Sequence, residues 1–150
     1  CDLLVVDTPA RANRETLNAA RQAHLLVQPS AGSLDDLKPA VLLFHEFKKA
    51  GIPVVRLAIA LTRILSRNEE IAARAFVENA GYMVLPGSIR EHAAYRDAQN
   101  TGRALNETAD NRLNEEADAL LTELMSAALA SAKSTVSGGA APRKERGGAA

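Results

Sequence analysis

Residues 24–51 read HLLVQPSAGSLDDLKPAVLLFHEFKKAG, and this stretch sets the fold class. His24-Leu25-Leu26-Val27 is a short apolar run that Pro29 is expected to end. Short continuous apolar runs bounded by turn residues are typical of strands buried on both faces, as in parallel sheets. Ser33-Leu34-Asp35-Asp36 then resembles a capping box, with Asp where Glu or Gln is more usual. Leu34, Leu37, Val41, Phe44 and Phe47 follow at steps of three and four, the spacing of one apolar helix face. Gly51 stands where a left-handed residue would end that helix. A strand, a loop and a capped helix are therefore expected in succession.

The same unit recurs on both sides. After Pro53, residues Arg56 to Thr62 read as a strand, and Ser66-Arg67-Asn68-Glu69 is a full S-x-x-E capping box. Its helix is expected to turn Ile71, Ala75 and Phe76 inward and to stop at Gly81. Tyr82 to Leu85 reads as a further strand closed by Pro86-Gly87. A shorter helix is expected over Glu91 to Asn100. A last one should run from Leu113 to Ala130, with Leu113, Ala117, Leu120, Leu121, Leu124 and Ala128 facing in. Upstream, Leu3-Leu4-Val5-Val6 reads as a fully buried strand, and Asn13 could cap a helix reaching Ala23. The order β-α-β-α-β-α-β-α-α predicts an α/β fold, a parallel sheet with helices on both faces and right-handed crossovers. Ligands of such sheets bind beyond the carboxyl ends of the strands. That singles out Asp7-Thr8-Pro9, Gln28-Pro29-Ser30, Thr62-Arg63 and Pro86-Gly87-Ser88.

Composition narrows the classes of function. The 150 residues carry 18 basic and 18 acidic side chains, 47% hydrophobic residues and one cysteine. That balance excludes wholesale disorder, and a lone cysteine excludes a disulfide framework within the chain. No apolar run approaches the ~18–20 residues of a membrane span, so no stable membrane insertion is expected. The folded domain is expected over residues 1–130. Residues 131–150 hold four glycines, and Val136 is their only large apolar residue. They read as a disordered basic tail, +3 against −3 for the rest, with solubilising and weak tethering roles both open. A first residue of Cys, followed at once by an interior-type strand, reads as a chain whose upstream residues are missing. Maturation as a lipoprotein at Cys1 is the alternative.

Four apolar residues ending in Asp7 form the pattern of a Walker B strand, in which the carboxylate binds Mg²⁺ through water beside a nucleotide phosphate. A turn-capping aspartate gives the same pattern. A phosphate loop needs G-x-x-x-x-G-K-S/T, and these 150 residues contain none. His24, His45 and His92 are scattered and read as half-buried or solvent-facing. Ser30 and Ser33 have no neighbouring base, and capping accounts for Ser33. Arg63, Arg67 and Arg74 could form a basic stripe, but Glu69, Glu70 and Glu78 interrupt it, which favours a solvated face. The acidic polar face of the last helix (Glu115, Glu116, Asp118 and Glu123) favours packing on the sheet over docking to lipid.

An ordered set of segments resembles the ParA/MinD family of deviant-Walker ATPases. Asp2-Leu3-Leu4-Val5-Val6-Asp7-Thr8-Pro9-Ala10 resembles its D-h-h-h-h-D-T-P segment, and Ala23 to Pro29 its A-D-h-h-h-x-P strand. Ser33 to Leu37 resembles the helix start that follows. Leu85-Pro86-Gly87-Ser88-Ile89-Arg90 resembles its h-P-x-x-I-R loop, and Arg96 to Glu107 its A-x-x-x-G-x-x-h-x-E stretch. The likeness covers residues 1–125 and implies a P-loop NTPase fold truncated at its amino terminus, without the Walker A segment. Carried over, Asp7 is the catalytic switch aspartate and holds Mg²⁺ through water, and Thr8 and Pro9 belong to the same switch. Thr62 and Arg63 stand where family members place an adenine-contacting asparagine. Pro86, Gly87, Ser88, Ile89 and Arg90 line the base or ribose side. Ala10 and Arg11 stand where glycine is frequent. The resemblance further implies ATP and Mg²⁺ as cofactors, a homodimer, a ParB-type partner protein, and nonspecific DNA bound by the ATP-loaded dimer. It implies a cytoplasmic, nucleoid-associated partitioning ATPase. A noncatalytic scaffold on the same fold and a dethiobiotin-synthetase-like enzyme are the alternatives.

Overall fold

The computed structural model describes residues 3–9 and 13–137. Their elements run α1 (Arg14–Gln22), β1 (Leu26–Ser30), α2 (Leu34–Lys49), a 3-10 turn (Val54–Arg56), β2 (Leu57–Leu61), α3 (Arg67–Asn79), β3 (Met83–Val84), α4 (Ala93–Asn100) and α5 (Asn111–Ser137). The strands form one parallel sheet in the order β1-β2-β3. The expected α/β class, with helices on both faces, is what the described residues adopt.

Alternation along Leu57-Ala58-Ile59-Ala60-Leu61 builds both layers. Leu57, Ile59 and Leu61 point to one face, where they pack with Ala20 of α1, with Leu37, Val41, Phe44 and Phe47 of α2, and with Ala73 and Val77 of α3. Ala58 and Ala60 point to the other, under Tyr95 of α4 and Leu113, Ala117 and Leu120 of α5. All five β2 residues are at most 4% exposed, as a central strand covered on both faces requires. Each buried Leu or Ile side chain stabilises the fold by roughly 1.5–3 kcal/mol of transfer free energy.

Local signals place most boundaries. The side chains of Asn13, Ser33 and Ser66 accept the N–H groups of Thr16, Asp36 and Glu69, satisfying donors that the helix leaves free. Gly51 and Gly81 take positive φ at the two helix ends where they were expected.

Several expectations are corrected. Residues Leu3 to Val6 form no strand. They are irregular and exposed, Leu4 to 79% and Val6 to 59%. A β-prone run becomes a strand only where a neighbour takes its backbone hydrogen bonds, and no described strand lies beside this one. β1 begins later than expected and contains Pro29. The Ser30 carbonyl accepts the Thr62 N–H across the sheet, so by alternation the Pro29 nitrogen faces the outer edge, where a missing N–H breaks no ladder bond. Leu34, Ile71, Ala75 and Leu121 were expected inward and are exposed. On α3 the buried stripe runs instead through Ala73 and Val77. The last helix continues from Ala130 to Ser137, an extension that its Ser- and Thr-rich sequence does not signal, since Ala132 is the only alanine after Ala130 within it. The rest of the expected tail lies outside the described residues. No described helix is long and apolar enough to cross a membrane.

Candidate functional site at the carboxyl ends of the strands

Two loops leave the sheet at its carboxyl end. The first, residues 62–66, follows β2. Its Thr62 N–H donates to the Ser30 carbonyl at 2.8 Å, with the Thr62 hydroxyl 3.4 Å from the same oxygen. Arg63 takes φ +53°, the only non-glycine among the described residues with positive φ. The left-handed region costs an ordinary residue roughly 1–2 kcal/mol, and such strain persists where the surroundings enforce it. Here Thr62 before it and the buried Ile64 after it are both tied down. The Arg63 guanidinium lies 3.9 Å from the Asp36 carboxylate with both side chains largely in water, a pair worth at most ~1 kcal/mol.

The loop after β1 locks onto the same corner. Glu69 accepts the Leu65 N–H at 2.7 Å, so the capping carboxylate reaches one residue further back than the usual box. It also lies against Gly32, where an added Cβ would come 2.6 Å from Glu69 Cγ. Glycine is needed there for close approach, because any side chain would lever Glu69 off Leu65.

The second loop, residues 85–91, follows β3 and returns to pair with the first. The Leu85 N–H donates to the Ile59 carbonyl at 2.9 Å and the Ile89 N–H to the Leu61 carbonyl at 3.0 Å. Ile64 and Arg90 form a parallel bridge, with the Ile64 N–H on the Ile89 carbonyl and the Glu91 N–H on the Ile64 carbonyl. Between these anchors, residues 86–88 bulge outward, and Gly87 takes φ +78°. Arg74 holds the bulge from α3, donating to the Leu85 carbonyl at 3.0 Å and to the Gly87 carbonyl at 2.7 Å.

A shallow, open cleft of about 600 Å³ lies between this loop, α3 and α5. A second of about 480 Å³ adjoins it, and the two share Glu70, Ser88, Arg90 and Glu116. Glu70 is tied to Arg74 and Glu116 to Arg90, each pair at 2.7 Å. Both carboxylates are thereby engaged as acceptors. Under the cleft, the Tyr95 hydroxyl donates to the Leu113 carbonyl at 2.7 Å. Its pKa is pushed up to about 12, chiefly by burial, with Glu116 and Asp110 adding and Arg90 opposing. Tyr95 therefore stays a neutral donor at physiological pH, which suits it to fixing the start of α5 rather than to proton transfer.

No protein-family model matches the chain, and no curated protein matches it. What it binds rests on the residues themselves.

Of the expected site residues, Ser88 and Arg90 line both clefts and Gly87 one of them. Ile89 is buried in the core and anchors its loop. Pro86 forms the exposed apex of the turn. Thr62 and Arg63 lie on the adjoining strand end, outside both clefts. Asp7, Thr8 and Pro9 lie in the exposed amino-terminal segment, and no hydrogen bond or ion pair joins them to either loop among the described residues. The described residues contain no group of three His, Cys, Asp or Glu that could hold a metal. His24 precedes β1, His92 caps α4, and His45 Nδ1 lies 2.5 Å from the hydroxyl of the buried Tyr82, whose pKa burial raises. Glu70, Arg74 and Glu116 were missed as site residues. The Glu70–Arg74 spacing of four on a helix was the available signal.

Proposed function

We propose that the chain is the base-binding part of a ParA/MinD-like, Mg²⁺-dependent ATPase. The observation that carries the reading is the meeting of the two loops through the Ile64–Arg90 bridge, beyond the carboxyl ends of adjacent parallel strands. Loops in that position are where open α/β sheets bind nucleotides. The two loops joined by this bridge carry the segments, Thr62-Arg63 and Pro86 to Arg90, that the family resemblance assigns to the base and ribose. With no phosphate loop among these 150 residues, the triphosphate is held by residues outside them. Asp7 would hold Mg²⁺ through water, and the metal would neutralise phosphate charge. By analogy the whole protein is a nucleotide-dependent homodimer that binds nonspecific DNA and answers to a ParB-type partner in partitioning.

One observation favours a second reading, a noncatalytic scaffold on the same fold: Asp7 is exposed and makes no hydrogen bond or ion pair to the loops among the described residues. Turnover separates the two. A reading frame that supplies K-G-G-x-G-K-S/T roughly 80–110 residues before Asp7 should encode a slow ATPase, and Asp7→Ala should abolish its turnover with circular dichroism unchanged. Turnover retained in that variant removes Asp7 from catalysis. An intact frame without such a loop favours the scaffold.

A further inference from the structure

Arg74 does more than populate a solvated face. Its Nη1 donates to the Leu85 carbonyl and its Nη2 to the Gly87 carbonyl, the carbonyls before and after the Pro86-Gly87 pair. Nε and Nη2 also donate to one oxygen of Glu70, at 3.1 and 2.7 Å. The side chains of the pair are only 24% and 27% exposed, so these charge-assisted bonds are partly shielded from water. A planar fork of fixed donors suits this arrangement, whereas a lysine supplies one point charge.

The clamp has a directional consequence. No described peptide bond is cis, so the Ser88 N–H points opposite to the Gly87 carbonyl. With that carbonyl on the Arg74 guanidinium, the Ser88 N–H is directed away from that guanidinium, and no acceptor takes it among the described residues. Gly87 makes the orientation possible through φ +78°. The turn thus presents a fixed donor, while its flanking carbonyls are withdrawn from any ligand.

We propose that Arg74, braced by Glu70, is a positioning residue of the nucleotide site: it fixes the Pro86–Ser88 turn so that the Ser88 N–H meets an acceptor on the base or ribose. This rests on the nucleotide reading above. The test is titration of the 150-residue chain with Mg-ATP, followed by NMR, for the wild type, Arg74→Lys, Arg74→Met and Glu70→Gln, with each fold checked by circular dichroism. The wild type should bind weakly, on the order of 1 mM, with the Ser88 amide shifting. Arg74→Met should lose roughly tenfold in affinity, the size of the one Ser88 N–H hydrogen bond that is no longer positioned, and its Ser88 amide should already be displaced without ligand. Arg74→Lys should fall between, and it decides the matter if Arg74→Met does not fold. Glu70→Gln should be weakened less than Arg74→Met. Folded Arg74 variants that bind like the wild type overturn the positioning role and leave the nucleotide reading standing. A wild type whose loops do not respond to Mg-ATP overturns both.

Discussion

Two apolar pentads or near-pentads in this chain have opposite fates. Leu57-Ala58-Ile59-Ala60-Leu61 is the central strand and almost wholly buried, whereas Leu3-Leu4-Val5-Val6 is irregular and in water. Both read as interior strands. What separates them is company. β2 has β1 on one side and β3 on the other, with helices over both faces. Residues 3–6 have no strand beside them among the described residues. Apolar sequence makes a strand possible, and neighbours that take its hydrogen bonds and cover its side chains make it real. The difference extends to the residues expected to form a site. Thr62 and Arg63 inherit a fixed place from β2, while Asp7 to Pro9 follow an irregular, exposed segment.

The contrast can be broken by substitution. Ile59→Ala should cost ~2–5 kcal/mol, as a buried branched side chain is lost and a cavity left. Chemical denaturation measures it, and a cost below ~1 kcal/mol would mean that β2 is not the centre of the core. Tyr95, beneath the second face, should make stability fall between pH 10 and about 12. The folded state keeps the proton there while the unfolded state releases it, at up to ~1.4 kcal/mol per pH unit. Tyr95→Phe should make that slope shallower, leaving the part that comes from Tyr82, whose pKa burial also raises, and denaturation at stepped pH would show it. Ser66→Ala should cost ~1 kcal/mol by removing the cap of α3, read as a lower denaturation midpoint at an unchanged m-value. Val5→Ala should change stability by less than ~0.5 kcal/mol. A loss comparable to that of Ile59→Ala would show residues 3–6 packed in the folded protein.

Much of this was legible. Strand-loop-helix alternation, three side-chain caps and the glycine stops at Gly51 and Gly81 are local chemistry, and local chemistry survives folding. The failures came where a neighbour decides. Pro29 stays in a strand because its nitrogen faces the sheet's outer edge. Ile71 is exposed because α3 turns Ala73 and Val77 to the core. Arg74 looked like one charge in a mixed stripe, and only the return of residues 85–91 to the end of β2 supplies the carbonyls it holds. The positive φ of Arg63 has no signal in an arginine.

In the proposed function, the paired loops after β2 and β3 receive an adenine nucleotide. Amide chemical-shift mapping of the chain with Mg-ATP, with inorganic triphosphate as control, tests it most directly. Shifts confined to Thr62–Ser66 and Gly87–Glu91 are expected with Mg-ATP, and none there with triphosphate. Silent loops under Mg-ATP, or the same shifts from triphosphate alone, would contradict it.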